Sequence, residues 1–182
     1  METAKGFLTR HAKFADLAVI PQVDGKHARR LATQPEVVAF SSGRPVLVLP
    51  RSAETQTIGN DIVIAWDDSR EAARALSDAL PFIENAEGVT LIFVGQKNRD
   101  RIDLSVVDIA HHLARHGVKP EIVFVDSEDA QAGPTILAEA EARRSDLVVM
   151  GACGHAGLRE LLFGGVTRHM LRYSTVPMLI SH

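Results

Sequence analysis

The segment DLVVMGACGHAGLRELLFGGVTRHML, residues 146–171, runs from a short apolar stretch through a glycine-rich turn into a longer segment with helical periodicity. The apolar stretch is typical of a strand buried on both faces, and the periodic segment predicts a helix. Glycines at such a turn allow close backbone approach, and the N–H groups that begin a helix favour anions such as phosphate. The same glycines are also compatible with a tight turn that binds nothing.

Strands and helices alternate in the same way from residue 58 to the end of the chain. The sequence predicts strands at 61–66, 89–95, 120–126, 146–151 and 176–181, and helices at 68–84, 102–116, 131–144 and 157–173. Ser69 has the position of a helix cap, and Gly117 that of a helix C-terminus. We therefore expect an α/β fold with a doubly wound, five-stranded parallel sheet.

The first 50 residues contain two segments that are similar to segments at the end of the chain. FADLAVIPQ (14–22) resembles RSDLVVMGA (144–152), and GRPVLVLP (43–50) resembles TVPMLISH (175–182), at offsets of 130 and 132 residues. We expect a partial domain over 1–50, with the last two strands and a helix, a polar linker over 51–60, and a complete domain over 61–182. The partial copy has Pro21 in place of Gly151, so it lacks the glycine turn.

Composition excludes several classes of protein. The chain has 182 residues, a formal net charge of −3 and one cysteine. The slight negative charge gives no general attraction to DNA, RNA or anionic lipid, and a single cysteine excludes an intrachain disulfide. No apolar run approaches the ~18 residues of a membrane span, and the N-terminus lacks the apolar region of a signal peptide. We expect a cytoplasmic protein with no nucleic-acid or membrane partner.

The glycine spacing carries a family resemblance. Gly151, Gly154 and Gly164 reproduce the Gly-x2-Gly-x9-Gly-Ser/Thr pattern of ATP-binding members of the universal stress protein family. IVIAWDDSREAARAL (62–76) resembles the first strand and turn of that family, with Asp68 where glycine is usual, and GGVTRHMLRYSTVPMLISH (164–182) resembles its ending. The chain is similar to a tandem-type member with an incomplete first domain, which implies a Rossmann-like fold of the adenine nucleotide alpha hydrolase kind.

The resemblance implies ATP, with or without Mg²⁺, as the ligand. Asp67 would contact the ribose and adenine region, the backbone of Val94 would read the adenine edge, and Met150 would border the same pocket. The residues implied near the phosphates are Gly151, Gly154, Gly164, Gly165 and Val166. Without a ligand, Asp67 could instead cap the helix near Ser69, and Val94 and Met150 are equally compatible with core packing. Gly165 keeps the backbone donor of the usual Ser/Thr but loses its hydroxyl, worth about 0.5–1.5 kcal/mol as a hydrogen bond.

Two functions stay open at this point. One is a nucleotide-responsive stress-response protein; the other is a family member that has lost ATP and acts by protein contact or dimerisation. No catalytic or metal-binding motif is recognisable, so ATP hydrolysis is expected to be slow at most. The resemblance implies that strands at 45–50 and 176–181 pair antiparallel, either within the chain or in a homodimer.

Overall fold

The computed structural model describes residues 4–22, 34–51, 57–95, 99–127, 131–152 and 164–182. Helices and strands alternate through these ranges. They are α1 (Ala4–Ala12), β1 (Ala18–Pro21), α2 (Pro35–Ser42), β2 (Val46–Leu49), β3 (Asp61–Trp66), α3 (Arg70–Ile83), β4 (Gly88–Val94), α4 (Arg99–Arg115), β5 (Glu121–Val125), α5 (Ala132–Ala142), β6 (Leu147–Gly151), α6 (Gly165–Tyr173) and β7 (Met178–Ser181).

The predicted strands and the first three predicted helices agree with these bounds to within three residues. Ser69 is the N-cap of α3, and Gly117 follows α4 with a φ of 78°, as expected. The predicted helix over 157–173 is confirmed from Gly165 to Tyr173. Gly164 is the N-cap of this helix, α6, so the prediction of helix at Gly164 was wrong, and residues 157–163 are outside the described ranges.

One sheet of seven strands runs in the order β1-β2-β7-β6-β3-β4-β5. The five strands predicted to be parallel are parallel, from β7 through β5. The two N-terminal strands extend the same sheet, and β2 pairs antiparallel with β7. Of the two alternatives for the last strands, the structure therefore shows pairing within the chain.

Helices cover both faces of the sheet. On one face α2, α5 and α6 pack on a cluster that includes Val63, Val148 and Ile180. On the other face α3 and α4 pack on a cluster that includes Ile64, Leu91 and Val149. All six of these strand residues are at most 1% exposed. Burial on both faces explains why the strands read as continuous apolar runs.

The first four elements repeat the pairing of the last four. Ala18 lies opposite Val46 in β1 and β2, and their equivalents Val148 and Met178 lie opposite each other in β6 and β7. Helix α1 packs on α2, as α5 packs on α6. The first 50 residues contain two helices, α1 and α2, where one was expected; α1 lies before residue 14, outside the segments that were matched to the end of the chain. The domain boundaries at 50 and 60 stay predictions.

Asp146 fixes the start of β3 against β6. Its carboxylate accepts the backbone N–H groups of Gly59 (2.9 Å), Asn60 (3.1 Å) and Asp61 (3.0 Å). Burial acts to raise the pKa of Asp146, but these hydrogen bonds and one from the Thr57 side chain outweigh it and hold that pKa below its ordinary value. The end of the predicted linker is thereby tied to the sheet.

Candidate functional site

The carboxyl ends of β3, β4 and β6 meet at one edge of the sheet. β4 lies on one side of β3 and β6 on the other, so the order of the parallel strands reverses between β3 and β6. In open α/β sheets ligands bind in the crevice at such a point. Ala65 lies opposite both Ile92 and Met150. Asp67, which follows β3, and Val94 and Gly151, which end β4 and β6, therefore lie at the same edge.

Asp67 supports the first turn of α3. Its carboxylate accepts hydrogen bonds from the backbone N–H of Ser69 (3.1 Å) and from the Ser69 hydroxyl (2.5 Å). The Ser69 oxygen in turn accepts the N–H of Ala72, at 3.1 Å. The helix cap is therefore Ser69 itself, and Asp67 orients it while staying exposed at the edge of the sheet.

Asp68 has a φ of 61°, in the left-handed region that favours glycine. This backbone geometry explains why glycine is usual at this position in the family, and aspartate is among the residues that tolerate it. Its carboxylate accepts the Ser105 hydroxyl at 2.8 Å, and the Ser105 oxygen accepts the Trp66 indole N–H at 2.9 Å. This bridge from β3 to α4 was not predicted from the sequence. The substitution at 68 was the available signal, but nothing in the sequence identified Ser105.

Val94 and Met150 belong to one apolar cluster, on the face of the sheet that α5 and α6 cover. Met150 is 5% exposed and Val94 is half-buried at the end of β4. Ala65 of β3 packs against the same cluster between them. Both residues therefore have a core role, as the sequence allowed, and both lie near the carboxyl edge of the sheet.

Gly151 has a structural reason to be glycine. A Cβ at this position would lie 2.6 Å from the backbone N of Ala72 and 2.7 Å from the carbonyl carbon of Glu71. The first turn of α3 thus packs directly on the end of β6. This close approach accounts for Gly151 without a ligand, and it is compatible with one.

Buried and charged groups surround that contact. Glu71 is 8% exposed, and the Arg70 guanidinium donates to its carboxylate at 2.6 Å. Burial acts to raise the pKa of Glu71, but Arg70 and the positive field of His182 outweigh it, so the pKa is lowered. The His182 ring contacts the carbonyl oxygen of Ala152, at 3.0 Å from Nδ1. The end of β6 is therefore held by a charged cluster on the α3 side.

Gly164 and Gly165 form the N-terminus of α6. A crossover helix runs antiparallel to the strands that it joins, so this terminus lies at the same edge as Gly151. Gly164 provides no side chain to cap the N–H groups of the first turn, which includes Val166. Thr167 is 3% exposed. Gly154 lies outside the described residues, and the assignment of ATP contacts to these glycines stays a prediction.

The described ranges hold no group of three or more His, Cys, Asp or Glu side chains arranged to hold a metal ion. Within the same ranges, no helix has the length and apolar character needed to cross a membrane.

Comparison with known proteins gives one consistent family. Residues 96–182 match the model of the Universal stress protein family. Universal stress protein Slr1230 of Synechocystis sp. is 26% identical over 155 residues, which is 82% of this chain and 50% of that protein. Universal stress protein YxiE of Bacillus subtilis is 34% identical over 67 residues, which is 37% of this chain and 43% of that protein. The matched part of the chain spans half or less of each relative.

The fold has solved counterparts. A universal stress protein from Archaeoglobus fulgidus superposes with a TM-score of 0.74 at 18% identity, covering 95% of this chain and 63% of that chain. At this identity the comparison shows a shared fold. The family model thus places a Universal stress protein domain at residues 96–182, and the relatives and the structural counterpart named above are themselves universal stress proteins.

Proposed function

We propose that this protein binds ATP at the carboxyl edge of the sheet, between β3 and β6, and that nucleotide occupancy is the signal it gives to a stress response. The observation that carries the proposal is the N-terminus of α6. Gly164 and Gly165 begin this helix without a capping side chain, at the edge where the order of the strands reverses. Exposed N–H groups and the helix dipole favour a phosphate there.

The nucleoside part of ATP has candidate contacts at the same edge. Asp67 is an exposed carboxylate at the end of β3, and carboxylates accept hydrogen bonds from ribose hydroxyls. Val94, half-buried at the end of β4, offers apolar surface for a base, and Met150 belongs to the same apolar cluster beneath the surface. The glycines of the turn, Gly151 and Gly154 among them, supply backbone for the phosphates, and Val166 lies in the first turn of α6. Mg²⁺, where present, would be held by the phosphates.

Titration calorimetry with ATP, with and without magnesium, tests the proposal. We expect saturable binding at micromolar ATP. Restoring the hydroxyl with Gly165→Ser should tighten binding about twofold to tenfold, the value of one hydrogen bond. Asp67→Asn should weaken it. The matched control is Asp61→Asn, at the opposite end of the same strand, which should leave affinity unchanged. Absence of binding in both the wild type and Gly165→Ser would refute the site.

The alternative function follows from that negative result. Gly165 lacks the hydroxyl of the family pattern, so a chain that binds no ATP is best read as a family member acting through protein contacts alone. We propose that the protein is located in the cytoplasm, which is compatible with either function. No described group suggests a base that would activate water, so we propose a binding protein with at most slow ATP hydrolysis.

A further inference from the structure

The contact between β2 and β7 has an approximate twofold axis. Leu47 lies opposite Leu179, and these two residues are equivalent in the internal repeat, at the offset of 132. Val46 opposite Ile180 and Val48 opposite Met178 are the two symmetry-related neighbours. This is the geometry of an isologous dimer interface, here formed between residues 4–51, which we call the half copy, and residues 57–182, which we call the complete copy.

We propose that the α6–β7 surface of the complete copy is built to bind the half copy of its own chain and to reject a second α6–β7 surface. Each contact across the axis can be compared with the one that two complete copies would make. In such a symmetric dimer, every half-copy residue is replaced by its equivalent from the repeat. Three contacts do not survive that replacement.

The first contact is a helix cap. The side-chain amide of Gln22, just after β1, donates to the carbonyl oxygens of Leu171 (3.0 Å) and Ser174 (3.1 Å) at the end of α6. Its carbonyl oxygen accepts the N–H of Arg51, at 3.3 Å. The equivalent of Gln22 is Ala152, which has no amide. Two complete copies would therefore leave these carbonyl groups without this donor.

The second contact is electrostatic. Glu36 of α2 and Arg168 of α6 are equivalent residues of the repeat, and they carry opposite charges. Burial raises the pKa of Glu36, and the positive charge of Arg168 acts against that rise. In a symmetric dimer of complete copies, arginine would occupy both of these positions. Like charges placed together disfavour the wrong partner.

The third contact joins Phe40 of α2 to His182, with ring centroids 4.6 Å apart. The equivalent of Phe40 is Arg172. A second complete copy would thus bring a guanidinium to His182, which also lies near the Arg70 guanidinium, with 3.5 Å between Nη2 and Nε2. The half copy places an uncharged phenyl ring beside His182, where a complete copy would place the positively charged guanidinium of Arg172 in addition to that of Arg70. All three differences favour the pairing of a half copy with a complete copy over the pairing of two complete copies.

A charge-swap cycle tests the proposal on the full chain. Glu36→Arg should raise the equilibrium constant for urea unfolding about threefold to tenfold, because it replaces an attractive pair by a repulsive one. Arg168→Glu should act in the same direction, and the double swap E36R/R168E should return the constant close to the wild-type value. Equal unfolding constants for all four proteins would overturn the proposal, since they would show no coupling across the axis.

Sedimentation velocity tests the choice of partner. The wild type should show no dimer through this surface at tens of micromolar. The triple variant Q22A/E36R/F40R, which gives the half copy the residues of the complete copy, should be less stable than the wild type. Ser41→Tyr, the same kind of exchange at an exposed position of α2, is the matched control and should leave both readouts unchanged. A wild-type dimer that Glu36→Arg dissociates would place these contacts between chains and overturn the proposal, as would wild-type stability of the triple variant.

Discussion

Replacing Gly151 with alanine should separate α3 from the end of β6. The added Cβ would meet the backbone N of Ala72 at 2.6 Å, and the carbonyl carbon and Cβ of Glu71 at 2.7 and 2.8 Å. Ordinary contact at this position begins at 3.4 Å, so the first turn of α3 would have to retreat by about 0.8 Å. Two of the three atoms belong to backbone, so no side-chain rotation relieves the clash.

The cost follows from how firmly α3 is held. Its residues Ala75, Ala79 and Ile83 are 0% exposed in the core beneath the helix. A rigid shift of the helix would loosen these contacts, and overpacking of this kind costs about 1–3 kcal/mol. We expect Gly151→Ala to lower the free energy of unfolding by that amount, measured by urea titration monitored through the single tryptophan, Trp66.

The matched control is Gly165→Ala. A Cβ there meets no atom within 4 Å in the described part of the chain. Because alanine restricts the unfolded chain more than glycine does, this variant should be stabilised by about 0.4–1 kcal/mol. Equal stabilities of the two variants would refute the close approach of α3 to Gly151 as the reason for that glycine.

Three further outcomes are expected from the same urea titrations. Asp146→Asn should cost about 1.5–3 kcal/mol through its hydrogen bonds to backbone N–H groups, whereas Asn at the exposed repeat equivalent Asp16 should stay within about 0.5 kcal/mol of wild type. Since the folded-state pKa values of Asp146 and Glu71 are lowered, their stabilisation should be full above the ordinary values of 3.8 and 4.5, and be lost as pH falls through the folded values. The pKa of Glu36 is raised, so its contribution to stability is present below 4.5 and is lost as pH rises through the folded value. Equal stability at pH 7 and pH 3 would contradict the expected net loss of stability in acid. Ser69→Ala should cost about 0.5–2 kcal/mol as a lost helix cap, and an unchanged midpoint would contradict that role.

Local patterns in the sequence were enough for much of the fold. The apolar runs and helical periodicity from residue 58 onward predicted the five parallel strands, because burial on both faces leaves a continuous apolar signature. Ser69 and Gly117 were recognisable as helix ends since caps depend on a few neighbouring residues. The repeat at offsets of 130 and 132 predicted strands β1 and β2 by comparison with the end of the chain. The family pattern also identified the glycines of the candidate site, and their role with ATP stays a prediction.

Only the tertiary structure decided which distant residues meet. Gln22 reaches the carbonyl of Leu171, 149 residues away, and Asp146 holds the N–H of Gly59, 87 residues away. The bridge from Trp66 through Ser105 to Asp68, the contact of α3 with Gly151, and the pairing of β2 with β7 depend in the same way on how helices pack on the finished sheet. Periodicity along the chain gives the face that an element buries, whereas its partner on that face is fixed by the packing of the whole domain.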